Sequence, residues 1–140
     1  MIHIIEAQEF SGIEILPGQA EWVSSPARIS ALLERKNVFG FYFYEDGRKL
    51  GFALLRRYSK YRYFLWDFII NCREQNRGYG SRALKALLQT MKEKRGARFV
   101  TTTYIIGNEH AKHIYEKLGF VETDTVDQGD VHEINMIVRL

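Results

Sequence analysis

Between Asp67 and Ser81 this chain concentrates residue types that can do chemistry. An apolar run, Phe64-Leu65-Trp66-Asp67-Phe68-Ile69-Ile70-Asn71, leads through Cys72 into Gln75-Asn76-Arg77-Gly78-Tyr79-Gly80-Ser81, which opens an amphipathic segment. A strand, a glycine-punctuated turn and a helix in that order describe a cradle for a diphosphate. Glycines at 78 and 80 remove Cβ where the anion must approach the backbone, and the first helical turn offers free N–H groups at the positive end of its dipole. A tight strand-to-helix turn also uses glycine for backbone geometry alone, so on this segment by itself both readings stay open. Asp67 is a carboxylate in an otherwise apolar strand. Burial there would raise its pKa toward that of a useful base or substrate ligand; the competing reading places it on the strand's solvent side. Cys72 is the single cysteine, with no base implied beside it, which favours a bystander thiol over a nucleophile. Histidines 3, 110, 113 and 132 show no ligand spacing with it, so no metal is expected.

A second segment, Asn108-Glu109-His110-Ala111-Lys112-His113-Ile114-Tyr115-Glu116-Lys117-Leu118-Gly119-Phe120, carries its own pattern. Together the two segments resemble the GNAT family of N-acetyltransferases. In that family a Gln/Arg-x-x-Gly-x-Gly/Ala loop binds acetyl-CoA, and an Asn-x-x-Ala-x-x-x-Tyr helix ends in Gly-Phe. Gln75, Gly78 and Gly80 meet the first pattern; Asn108, Ala111, Tyr115, Gly119 and Phe120 meet the second. With its flanking strands the resemblance runs from Val38 to the C-terminus. It implies acetyl-CoA as co-substrate and Tyr115 as the general acid that protonates the departing thiolate, against the plainer reading of Tyr115 as an inner-face packing residue. Asn108 would hydrogen-bond the pantetheine arm while also capping its helix. The backbone of Ile70, Asn71 and Cys72 would pair with pantetheine as an added strand, and Gln75 through Ser81 would wrap the pyrophosphate. Those contacts are mostly backbone, so Asn76, Arg77 and Tyr79 are loop members whose side chains are loosely constrained. Arg77 on a phosphate and Lys117 on the 3′-phosphate are each balanced by a surface-charge reading. Asp67 is the candidate base or substrate ligand, with ordered water as the alternative.

Elements that would position these groups follow from pattern. Ile2 to Glu6 reads as a strand, and Ala27 to Arg35 as a helix with Ser25 as N-cap and Pro26 in the first turn. Val38 to Tyr44, Asp46-Gly47 and Lys49 to Arg57 form a hairpin signal, with a third antiparallel partner at Tyr61 to Asn71. Gly78 to Lys94 puts Leu84, Leu87, Leu88 and Met91 on one helical face, and Gly96 ends it. A strand at Arg98 to Tyr104, the helix at Asn108, and a closing hairpin of Phe120 to Val126 and Val131 to Arg139 complete the order. Helices and strands mix in an α/β (α+β) arrangement, a mostly antiparallel mixed sheet flanked by helices. The acyl-CoA N-acyltransferase fold has that outline.

Composition bounds the rest. At 140 residues, 46% apolar and 26% charged, the chain reads as a single domain over 1–140. No leader pattern or membrane-length apolar window is seen, which gives a cytoplasmic expectation and no membrane partner. A net charge of +3 without a recognition-helix or RNA-platform motif argues against nucleic acid. Arg48, Lys49, Arg56, Arg57, Lys60 and Arg62 form a basic hairpin that either holds CoA phosphates or faces solvent. For the acceptor, Gln19-Ala20-Glu21-Trp22-Val23 resembles a segment of the diamine and polyamine branch, although Trp66-Asp67 departs from that branch's usual Asp-Arg. Glu122, Asp124, Asp127, Asp130 and Glu133 either attract a polycation or form a solvated acidic hairpin. The reading is an acetyl-CoA-dependent N-acetyltransferase acting on a small primary amine, with a polyamine as one acceptor class and a homodimer as a family-level expectation. Three alternatives stand beside it: a non-catalytic acetyl-CoA-sensing module, an acetyltransferase of a protein or antibiotic amine, and a phosphate binder of another fold.

Overall fold

The computed structural model describes residues 1–140. Strands β1 (His3–Ala7), β2 (Val38–Glu45), β3 (Arg48–Arg57), β4 (Arg62–Ile70), β5 (Phe99–Ile105), β6 (Val121–Gln128) and β7 (Val131–Arg139) alternate with helices α1 (Pro26–Leu33), α2 (Tyr79–Arg95) and α3 (Glu109–Lys117). They form one seven-stranded sheet in the order β1-β2-β3-β4-β5-β7-β6. Only β4 and β5 pair in parallel, and α2 makes the crossover between them, as a parallel connection requires. The mixed, mostly antiparallel sheet flanked by helices is the architecture the element order implies. Its turns obey local chemistry: Asp46 and Gly47 both take positive φ (53° and 76°) in the β2–β3 hairpin, and the Ser25 hydroxyl accepts from the Arg28 amide at 3.2 Å to cap α1. Two short 3-10 turns, Pro17–Trp22 and Cys72–Glu74, have no apolar periodicity to announce them.

Two irregularities in β4 make the cleft. Leu54 pairs with Asp67 and Leu55 with Leu65, leaving Trp66 as the extra residue of a bulge. Because strand alternation has a period of two, one inserted residue exchanges the two faces. Tyr63 and Leu65, before the bulge, pack in the large core under α2 and α3; beyond it Phe68 and Ile70 border that core, and Ile69 joins the smaller core that holds Ile29 and Leu32 of α1. The second irregularity is the β4–β5 pairing, which stops at Leu65↔Thr102. Past that point β5 stays bonded to β7 as far as Ile105, and β4 to β3 as far as Ile70. The sheet splits there, with Asp67 at the fork.

Candidate active site

The fork opens into a cleft of about 360 Å3. Asp67 and Ile70 from β4, Gln75 and Asn76 from the loop before α2, and Asn108, Ala111 and Tyr115 from α3 and its N-cap all line it. Asp67 is 5% exposed. One carboxylate oxygen accepts the Ser24 amide at 2.9 Å, and the other is buried without a partner. Burial is the main influence on its pKa and raises it above the usual carboxylate range, against the opposing pull of the Ser24 bonds and the Arg28 charge. The solvent-side reading of Asp67 is therefore overturned.

Two tyrosines line the cleft. Tyr104 donates to Glu122 at 2.9 Å, which commits its proton elsewhere. Tyr115 has no carboxylate bound to its hydroxyl. Its ring packs on Phe120 with centroids 5.4 Å apart, so the packing role is real as well. Burial, with the Asp67 charge adding to it, pushes its pKa up to about 12, while the neighbouring Thr102 hydroxyl acts in the opposite direction.

The two glycines of the cofactor loop have different surroundings. Gly78 sits at φ 78°, a left-handed backbone that favours glycine, and a Cβ there would meet no other protein atom within 4 Å. At Gly80 a Cβ would lie 3.0 Å from Ile114 Cδ1, so that glycine lets α2 approach α3. One expectation is corrected at the pantetheine edge. Asn71 donates its amide to Leu50 O at 2.7 Å and Cys72 donates to Glu14 O at 2.8 Å, so neither has a free N–H. Alternation from Asn71 turns the amides of Phe68 and Ile70 toward the open side. Of the expected trio only Ile70 turns its amide to the open side, as does Phe68, while the Ile70 carbonyl accepts from Gln75. The Asn71 side chain instead bridges the 12–14 segment and Lys49, and Cys72 is a half-buried thiol.

At the start of α2 the backbone amides of Gly78, Tyr79, Gly80 and Ser81 find no acceptor in the protein, and Gly78 gives no side-chain cap. Four free donors at the positive end of a 17-residue helix fit a pyrophosphate. Arg48 donates to Tyr79 Oη at 2.7 Å, and both Arg48 and Arg77 stand 3.8 Å from the buried Glu74 carboxylate, so the arginines already flank the loop. Gln75 points away from it: its amide donates to Ile70 O and to Gln19 at 2.9 Å each, and Gln19 donates back at 2.9 Å. Asn108 caps α3 by accepting the Ala111 amide at 3.3 Å. Lys117 lies at the opposite, C-terminal end of α3 and does not reach the cleft, where a cation suits the helix dipole. Gln19, Trp22, Ser24 and Thr102 are parts of the site that composition and spacing leave unmarked; the Gln19–Trp22 segment had only its likeness to the polyamine branch to single it out.

The model of the acetyltransferase (GNAT) family matches residues 5–120. A spermine/spermidine N(1)-acetyltransferase from Bacillus subtilis is 31% identical over 84 residues, which cover 55% of this chain and 55% of that relative's own length. Among solved structures, a GNAT family acetyltransferase from Elizabethkingia anophelis with acetyl-CoA bound superposes with a TM-score of 0.73 at 15% identity, covering 99% of this chain and 98% of the other. A mutant of the spermidine N-acetyltransferase from Vibrio cholerae gives 0.69 at 17% identity, over 82% and 74% of the two chains.

Proposed function

This chain belongs to the acetyltransferase (GNAT) family, and we propose that it transfers acetyl from acetyl-CoA to the primary amine of a small molecule by direct attack in a ternary complex. The observation that carries this is the convergence on one cleft of a buried carboxylate, Asp67, and a buried tyrosine whose hydroxyl has only the Thr102 hydroxyl beside it, Tyr115, next to an uncapped helix N-terminus.

Acetyl-CoA supplies an electrophilic thioester carbonyl and a thiolate leaving group. The first turn of α2 binds the pyrophosphate, and the Phe68 and Ile70 amides hold the pantetheine arm as a strand would. Asp67, its pKa raised by burial, takes the proton that an incoming ammonium must lose before nitrogen can attack. As the N–C bond forms, the C–S bond breaks and its electron pair goes to sulfur. Tyr115, at about 12, keeps its proton through neutral pH and is a weaker acid than a thiol near ~8.5. Its role is thus to donate a strong hydrogen bond to the developing thiolate, with the amine's own proton balancing the charge through solvent.

The names of the Bacillus and Vibrio relatives make polyamines an acceptor class to test. A homodimer would form through β6, an edge strand exposed along its whole length; sedimentation of purified protein decides it. The decisive assay for the function is thiol release from acetyl-CoA with a panel of amines. Turnover is expected with at least one amine class, and acetyl-CoA binding with silence across the panel would sink the reading.

A further inference from the structure

The acceptor end of the cleft has a chemistry of its own. Thirteen of the twenty residues lining the cavity are hydrophobic. Asp67 is the single carboxylate among them. Trp66, next to Asp67 in β4, and Trp22 and Val23, next to the Ser24 that bonds it, wall the side nearest Asp67, and Leu16 lines the same cavity. The acidic side chains of the closing hairpin stay outside: none of Glu122, Asp124, Asp127, Asp130 and Glu133 lines the cavity. Glu122 is taken by Tyr104, Asp124 by Asn135, and Asp127 by His132.

A polyamine brings several ammonium groups, and each one that leaves water needs a carboxylate or a free aromatic face. Here the first charge has Asp67. A second finds no further carboxylate in the cavity, where the Trp22 indole and alkyl side chains stand instead. The Trp66 face is already occupied by Arg28, whose guanidinium stands 5.4 Å from the ring centroid, and that same cation acts on Asp67. A fixed positive charge beside the only carboxylate repels a second ammonium, whereas an uncharged carbon body loses nothing there and gains contact area.

We infer that the acceptor is a monoamine with an apolar body, alkyl or arylalkyl, whose one ammonium is received at Asp67 and whose carbon skeleton rests on Trp22, Val23 and Leu16. This rests on the proposed acetyl transfer: the ammonium gives one proton to Asp67, the freed amine nitrogen bonds the acetyl carbon, the thioester C–S bond breaks with its electron pair going to sulfur, and the second nitrogen proton reaches the thiolate through solvent. It departs from the acceptors that the relatives' names would suggest.

Steady-state kcat/KM should be measured with acetyl-CoA and hexylamine, phenethylamine and tryptamine, beside putrescine and spermidine, on the wild type and on Trp22→Ala, with acetyl-CoA affinity by calorimetry for both. The apolar monoamines should exceed spermidine by about 10-fold or more. Trp22→Ala should raise KM for the monoamines about 10-fold, leaving kcat and acetyl-CoA affinity close to wild type. Preference for spermidine or putrescine would overturn the inference and leave acetyl transfer standing. An unchanged monoamine KM in Trp22→Ala would remove the apolar seat. Silence with every amine, acetyl-CoA still bound, would instead remove the transferase function itself.

Discussion

The proposed roles of Asp67, as acceptor of the amine's proton, and of Tyr115, as hydrogen-bond donor to the leaving sulfur, make separable predictions. Tyr115→Phe deletes one hydroxyl and keeps the ring on Phe120. We expect kcat to fall by about 100-fold with acetyl-CoA affinity within about 3-fold; pre-steady-state and calorimetric measurements check the two halves, and unchanged kcat would take Tyr115 out of the reaction. Asp67→Asn tests burial through linkage. Because the folded-state pKa is raised, the native state holds this proton more tightly than the unfolded chain does. Its contribution to stability is therefore complete below the ordinary carboxylate pKa near ~3.9 and is lost as pH rises through the raised value. D67N has no charge to bury, so its melting temperature should decline less than that of the wild type from about pH 4 to pH 8. Parallel melting curves across that range would refute the assignment. The same variant should lose about 100-fold or more in kcat/KM. How much of this was legible in the sequence differs between the two residues. Tyr115 was readable from its seven-residue interval to Asn108. Asp67 was visible as an odd charge, but its side of the strand was not, because the bulge at Trp66 that reverses alternation leaves no mark in composition.

At the level of elements, the loop before α2 and the 3-10 turn Pro17–Trp22 deserve separate tests because they act differently. Gly78 adopts left-handed φ in open space, so Gly78→Ala should destabilise the fold by about 1 kcal/mol through backbone strain alone, lowering the melting temperature by about 4 °C. It should also weaken acetyl-CoA several-fold, since the free amides of residues 78–81 shift with it; wild-type affinity in calorimetry would separate the glycine from the phosphate site. The turn is held by the mutual amide bonds of Gln19 and Gln75, with Gln75 also on Ile70 O. A double-mutant cycle of Gln19→Ala and Gln75→Ala should show a coupling of about 1 kcal/mol in denaturant unfolding, and additive effects would deny the clasp. Pattern alone recovers the long elements: helices with an apolar face, strands with β-branched and aromatic residues, and a hairpin marked by Asp46-Gly47. The turns Pro17–Trp22 and Cys72–Glu74 escape it because they are fixed by side-chain bonds to residues more than fifty positions away, and no local window contains both partners. For the same reason the sequence points to Ile70, Asn71 and Cys72 as the pantetheine edge, although the amides of Asn71 and Cys72 go to Leu50 and Glu14 and only that of Ile70, with Phe68, faces the open side.

For the molecule as a whole, the sheet is two half-sheets joined by one short parallel ladder. Four residue pairs, Arg62↔Phe99 to Leu65↔Thr102, hold β4 to β5, while both flanking ladders are longer: β3–β4 pairs seven residues and β5–β7 another seven. The large core and α2 also bridge the halves, but around the fork the backbone amides of Phe68 and Ile70 face the open side, while the Ile70 carbonyl is taken by Gln75. A ligand whose extended arm bonds that edge and whose pyrophosphate sits on α2 adds the contacts the ladder lacks, and it does so only in the folded state. Acetyl-CoA at 100 times its dissociation constant should then stabilise the protein by about 2.7 kcal/mol, a rise in melting temperature of about 8–10 °C for a chain of this size. The gain should also be local. In hydrogen exchange, the amides of Phe68, Ile70 and residues 78–81 should slow by more than those of β1, β6 and β7. Dephospho-CoA should retain most of the shift, because Lys117 lies away from the cleft and the pyrophosphate carries the binding. Protection confined to α2, with Phe68 and Ile70 exchanging as fast as in the free protein, would show that the diphosphate binds while the pantetheine arm does not enter the fork.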